Sequence, residues 1–131
     1  MDMNEGIIML GSNVNADENI RIAKERINDK FEIVAESTIL ITLPRKNKYK
    51  NYFLNQAIMI LSDEYYADTV KFFKQIEKEL GRTESGKEEG SIPIDIDFVF
   101  WNNTAMRNDY ERWDFVRTCI DQIKDKPFYK S

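Results

Sequence analysis

The chain has no histidine and a single cysteine, Cys119, among its 131 residues. Without imidazole, a Ser-His-Asp triad, a His-ligated metal and a histidine general base are all excluded. One thiol excludes an internal disulfide framework and a Cys-rich zinc site. No apolar run approaches the roughly 18 residues that span a bilayer, and the acidic start is unlike a signal peptide, so a cytoplasmic protein without membrane association is expected. Basic residues are not in excess: 19 Lys and Arg against 23 Asp and Glu leave a formal charge of −4. That balance argues against nucleic acid as the main partner. Repeats, low-complexity tracts and long linkers are also lacking, so residues 1–131 read as one domain. What remains is 42% hydrophobic and 32% charged, an ordinary water-soluble globule.

Periodicity divides the chain. Gly6 to Leu10 reads as a strand buried on both faces, ended by a turn at Gly11-Ser12-Asn13. Asn15 and Glu18 are spaced as a capping box for a helix over 16–31, whose inward stripe is Ile20, Ala23, Ile27 and Phe31. Residues 32–43 have β character. Phe53 to Leu61 alternates as another strand, with Asn55 set in the apolar series as either a satisfied core amide or a ligand-binding group. A second helix over 66–80 carries Val70, Phe73, Ile76 and Leu80 inward, with Gly81 as its C′ residue. An irregular loop over 82–91 leads to a last strand, and 109–125 is weakly helical. The order predicts an α+β fold, the ferredoxin-like βαββαβ plan: an antiparallel sheet with both helices on one face and a C-terminal helical extension.

The last strand sets Ile94, Ile96, Phe98 and Phe100 on one face and Asp95, Asp97, Val99 and Trp101 on the other. Asp95 and Asp97 then stand side by side, about 7 Å apart at Cβ. Such a pair is either a solvated strand end or an oxygen-donor clamp suited to Mg²⁺.

Taken in order, Leu10-Gly11-Ser12-Asn13, Tyr52-Phe53-Leu54-Asn55-Gln56-Ala57, Ile76-Glu77-Lys78-Glu79-Leu80-Gly81-Arg82 and Asp95-Ile96-Asp97 resemble the 6-hydroxymethyl-7,8-dihydropterin pyrophosphokinase family. The resemblance runs from residue 6 to about 123. It implies a folate-pathway transferase that moves diphosphate from ATP to a pterin alcohol with Mg²⁺. By resemblance Asp95 and Asp97 are metal ligands and, with Arg82, catalytic. Glu77, Arg82, Ile96, Phe98 and Arg112 serve ATP. Thr42, Leu43, Pro44, Phe53, Asn55 and Phe115 hold the pterin, the two phenylalanines sandwiching its ring. A monomer or weak dimer is expected.

Glu84, Glu88 and Ile92 stand where the family carries phosphate-clamping arginines, which leaves the segment from Arg82 to Ser91 with more acids than bases. A second reading follows, of a pyrophosphokinase-like protein that keeps the fold and weak or no catalysis. A third, from another class, is an interaction domain. The basic loop of Arg45, Lys46, Lys48 and Lys50, together with Arg107, Arg112 and Arg117, offers compensating charge.

Overall fold

The computed structural model describes residues 3–44 and 51–124. The basic loop at 45–50 and the tail from 125 lie outside the described residues. The central strand is β1 (Asn4–Ser12), paired antiparallel with β4 (Phe53–Ser62) on one side and β5 (Asp95–Trp101) on the other. β2 (Glu32–Glu36) and β3 (Leu40–Thr42) both pair with β4, and the short β6 (Thr104–Ala105) pairs with the far end of β5, giving the order β2-β4-β1-β5-β6.

Helices α1 (Ala16–Lys30) and α2 (Tyr66–Glu79) cover one face. Their stripes, Ile20, Ala23, Ile27, Phe73 and Ile76, pack with Phe31 on Ile8, Leu10, Ile58, Ile60, Ile94, Ile96 and Phe98. A short α4 (Asp109–Arg112) and α5 (Asp114–Ile123) cover the other face, where Tyr110, Val116, Cys119 and Ile120 meet Ile7, Met9, Ala57, Met59 and Val99. The βαββαβ plan with its C-terminal extension is therefore present. The extension closes the face that the first two helices leave open, which is why Ile7 to Leu10 is apolar without alternation.

Four local readings are corrected. Asn15 does not cap α1 through its side chain: it is left-handed at φ 43°, and Asn19 Nδ2 holds the turn by donating to the Val14 carbonyl at 2.7 Å. The β stretch over 32–43 is two strands, because Ser37 Oγ accepts the Ala57 N–H at 2.9 Å and interrupts the ladder. The segment after Arg82 is not wholly irregular. Thr83 Oγ1 accepts from Gly86 N and caps a short α3 (Glu84–Glu88). Finally, β5 does not keep one alternation. Its register on β1 shifts between Ile7 and Ile8, leaving Val99 as an extra residue. Beyond that bulge Phe100 turns to the α5 face and Trp101 to the α1–α2 face, exchanging the sides the sequence assigned them.

The aromatic cluster under α2 needs Gly6. A Cβ at that position would stand 2.7 Å from Phe98 Cε1 and 3.3 Å from Ile60 Cγ1. Phe98 is stacked on Phe73 at 5.0 Å between centroids and touches Tyr66 and Trp101, so its ring has no room to retreat.

Candidate active site

At the end of the sheet away from the β5–β6 hairpin, the register sets three residues in a row: Asn55 on β4, Gly11 on β1 and Asp95 on β5. Directly paired residues point to the same side, here the side covered by α5. Gly11 has no side chain, so the row is open in its middle. A cavity of about 430 Å³ fills this opening and takes in Thr42, Leu43, Phe53, Asn55, Arg82, Asp95, Asp97 and Phe115. Eight of the residues singled out from the sequence thus share one wall.

Asn55 is buried, and its Nδ2 donates to Thr42 Oγ1 at 2.9 Å and to the Leu40 carbonyl at 3.2 Å. With the amide nitrogen so engaged, Oδ1 is fixed on the Gly11 side, 3.5 Å from where a Cβ of residue 11 would be. It is an acceptor presented to the cavity.

Arg82 is held from three sides. Its Nη1 donates to Asp95 Oδ1 at 2.6 Å, to Glu77 Oε2 at 3.1 Å and to the Ile94 carbonyl at 3.3 Å. Its chain position follows from the end of α2. Gly81 at φ 98° lets the Arg82 N–H return to the Glu77 carbonyl and the Gly81 N–H to the Lys78 carbonyl, closing the helix and directing the next side chain toward β5. Glu77 is itself buried and does not line the cavity. Its Oε2 accepts the backbone N–H of Ile96 at 2.8 Å. Burial pushes the Glu77 carboxyl above its ordinary range, against that hydrogen bond and the Arg82 charge.

The Asp95 and Asp97 carboxyls perturb one another. For Asp97, burial and the neighbouring Asp95 charge raise the carboxyl to about 8, opposed by Arg107. For Asp95, burial acts upward as well, but the interactions with Asp97 and Arg82 outweigh it and hold the group below the ordinary value. Two like charges side by side repel, so one carboxyl of the pair is pushed up while the other is held down. Arg107 Nη1 comes within 3.5 Å of Asp97, while its Nε donates to Asp109 Oδ2 at 2.9 Å. Among the described residues no three His, Cys, Asp or Glu side chains gather to cage a metal. Two convergent oxygen donors still fit Mg²⁺, which keeps waters and takes further oxygens from a phosphate.

Other expected residues lie elsewhere. Ile96 and Phe98 are 3% and 5% exposed and point into the core under α1 and α2, leaving only their backbone to the β5 edge. Arg112 lies over the Trp113 ring at 4.6 Å, and neither it nor Pro44 lines the cavity. Arg117 is turned to Asp114 and to the carbonyls of Tyr110 and Glu111. Glu84 and Glu88 do not face the cavity. They sit four residues apart on one exposed side of α3, and Lys87 and Ile92 are the residues of this segment that reach the wall. Lys74, which was not singled out from sequence, also lines it, as does Trp113, which the sequence offered only as a packing residue. Asn13 was noted only within a motif. Its side chain donates to the Gly90 carbonyl at 2.8 Å and accepts from Ile92 N at 2.7 Å, pinning the far end of the α3 segment to β1.

Residues 7–125 match the family model of 7,8-dihydro-6-hydroxymethylpterin-pyrophosphokinase. The chain is 32% identical over 107 residues to the folate synthesis bifunctional protein of Arabidopsis thaliana, covering 80% of this chain and 22% of that protein. It is 29% identical over 129 residues to the mitochondrial folate synthesis bifunctional protein of Pisum sativum, 95% of this chain and 23% of the relative. The chain therefore spans under a quarter of the length of these curated relatives. Among solved structures, a Plasmodium falciparum HPPK-DHPS triple mutant with SDX-DHP superposes with a TM-score of 0.62 at 16% identity, over 96% of this chain and 34% of that one. The wild-type P. falciparum HPPK-DHPS structure with STZ-DHP gives 0.56 at 16% identity, over 78% and 29%. These two matches bear on the fold.

Proposed function

The chain belongs to the 7,8-dihydro-6-hydroxymethylpterin-pyrophosphokinase family, and we propose that it transfers the terminal diphosphate of ATP to the hydroxyl of 6-hydroxymethyl-7,8-dihydropterin, releasing AMP. The observation that carries this reading is the row Asn55–Gly11–Asp95, which sets an amide acceptor and a carboxylate pair at opposite sides of one opening. The reading takes residues 1–131 as one domain that works as a monomer or weak dimer.

Diphosphoryl transfer asks little covalent chemistry of a protein; it asks for positioning and neutralised charge. Asn55 Oδ1 accepts a ring N–H of the pterin, and Phe53 and Phe115, on the same wall, take its faces. Gly11 leaves the path from the ring to Asp95 clear. Asp95 and Asp97, both deprotonated, would hold Mg²⁺, which would supply the positive charge that lets a hydroxyl approach a polyphosphate. Arg82, fixed by Glu77, balances Asp95. The hydroxyl oxygen forms its bond to the β-phosphorus as the bond from that phosphorus to the α,β-bridging oxygen breaks, the hydroxyl proton passing to solvent and AMP leaving with the bridging oxygen.

The second reading, a weak or inactive relative, rested on acids in place of arginines. It loses ground because Glu84 and Glu88 do not line the cavity while Lys87 does. The test is direct. Purified protein with Mg²⁺, ATP and the hydroxymethyl pterin yields AMP and the pterin diphosphate in equal amounts; no AMP at high enzyme concentration refutes the reading.

A further inference from the structure

Among the described residues four cations line the cavity: Lys74, Arg82, Lys87 and Arg107. Two of them are already held by the carboxylates of the site. Arg82 is bonded to Asp95 and Glu77, and Arg107 bridges Asp97 and Asp109. The other two are held less. Lys74 pairs with the Glu77 carboxylate at a longer 3.4 Å, from a side chain that is 60% exposed. Lys87 is exposed, and among the described residues no salt bridge forms to it.

These lysines come from different elements. Lys74 lies on α2 and Lys87 on α3, and both helices are fixed by contacts already described. The Gly81 turn closes α2, and Thr83 and Asn13 anchor the two ends of the α3 segment. Both lysines therefore reach the cavity from the α2 and α3 elements. This is also the segment where Glu84, Glu88 and Ile92 leave it poor in arginine.

We propose that Lys74 and Lys87 are the polyphosphate-binding cations of this site, taking the load that arginines of the α3 segment would carry. The inference rests on the reading of the site as one for a nucleoside triphosphate and deepens it. An ammonium is a compact point charge on a flexible stem. Two of them attract a polyphosphate without fixing it in the bidentate manner of a guanidinium. The site accordingly holds its polyphosphate by charge more than by shape, and its affinity falls steeply with salt.

The experiment measures calorimetric binding of Mg²⁺–tripolyphosphate, of adenosine and of the hydroxymethyl pterin to the wild type, to Lys74→Gln, to Lys87→Gln and to the double variant. Circular dichroism checks that each is folded. The double variant is expected to bind tripolyphosphate roughly tenfold more weakly at low salt, with a flatter salt dependence. Pterin affinity stays within twofold, and Lys→Arg at both positions restores binding. Unchanged tripolyphosphate affinity in the double variant overturns the inference, as does a wild type that binds no tripolyphosphate. If tripolyphosphate binding depends on the lysines while the wild type releases no AMP from ATP and pterin, the inference stands and the proposed reaction falls. If AMP is released and the lysines change nothing, the reverse holds.

Discussion

Gly11 lies directly opposite Asn55 across the β1–β4 pair, and a Cβ on residue 11 would come within 3.5 Å of Asn55 Oδ1. That is an ordinary contact distance, so Gly11→Ala is expected to fold, with a melting temperature within a few degrees of wild type. The methyl group would nevertheless occupy the gap between Asn55 and Asp95. Pterin affinity is expected to drop by an order of magnitude or so, measured by calorimetry. A variant that binds pterin normally would show that the opening over Gly11 is not the pterin path.

Gly6→Ala is the opposite case. The added Cβ would meet Phe98 Cε1 at 2.7 Å in a cluster already filled by Phe73, Tyr66 and Trp101. Overpacking of this kind costs about 1–3 kcal/mol. Urea unfolding should register that loss, while ligand affinities measured below the transition remain near wild type.

Glu77 joins α2, Arg82 and the β5 backbone through one buried carboxylate. Glu77→Gln keeps the shape and an acceptor for Ile96 N–H but removes the charge that balances Arg82. Glu77→Ala strands that N–H and frees Arg82. The alanine variant is expected to lose about 1–3 kcal/mol in denaturant unfolding, the penalty for an unsatisfied buried group. The glutamine variant should lose less stability yet still bind Mg²⁺–nucleotide more weakly than wild type. Equal stability of both variants would remove Glu77 as the tie between helix and strand.

The opposite shifts of Asp95 and Asp97 set a pH dependence. Asp97 is raised in the folded chain, from an ordinary 3.8 to about 8. Its protonated form is favoured by folding, so the metal-free protein is more stable below pH 4 as far as this group is concerned and loses that contribution as pH rises through about 8. Asp95 is lowered, and its own contribution is lost only as pH falls below the ordinary carboxylate range. Thermal melts without metal should therefore decline between about pH 5 and 8, and Asp97→Asn should flatten the decline. Mg²⁺ competes with the proton. Its stabilising effect should grow over the same interval and level off above about pH 8, and Asp97→Asn should abolish it.

Much of the architecture was legible because helices and strands report their buried faces by period. Ile20, Ala23, Ile27 and Phe31 lie where their spacing put them, and so do Phe73 and Ile76. The paired acids and Asn55 were visible as polar residues in strands with no core reason to be there. The β5 bulge was not visible, because inserting Val99 changes which side Phe100 and Trp101 take without changing their hydrophobicity. Nor was the left-handed Asn15, since an asparagine before a helix suits a capping role equally well. Lys74 lies off the inward stripe of the second helix and drew no reading, and only the placement of α2 against β5 brings it to the cavity. The orientation of Lys87 depends on a helix of five residues, too short to show a period.

β6 covers β5 at Phe100 and Trp101, and among the described residues the stretch carrying Ile96 has no neighbouring strand on that side. An exposed row of amides there would invite a strand from another molecule. The Glu77 carboxylate occupies one of those amides from within the same chain. One donor of this margin is thereby withheld from any pairing strand, between the two positions that carry the acid pair.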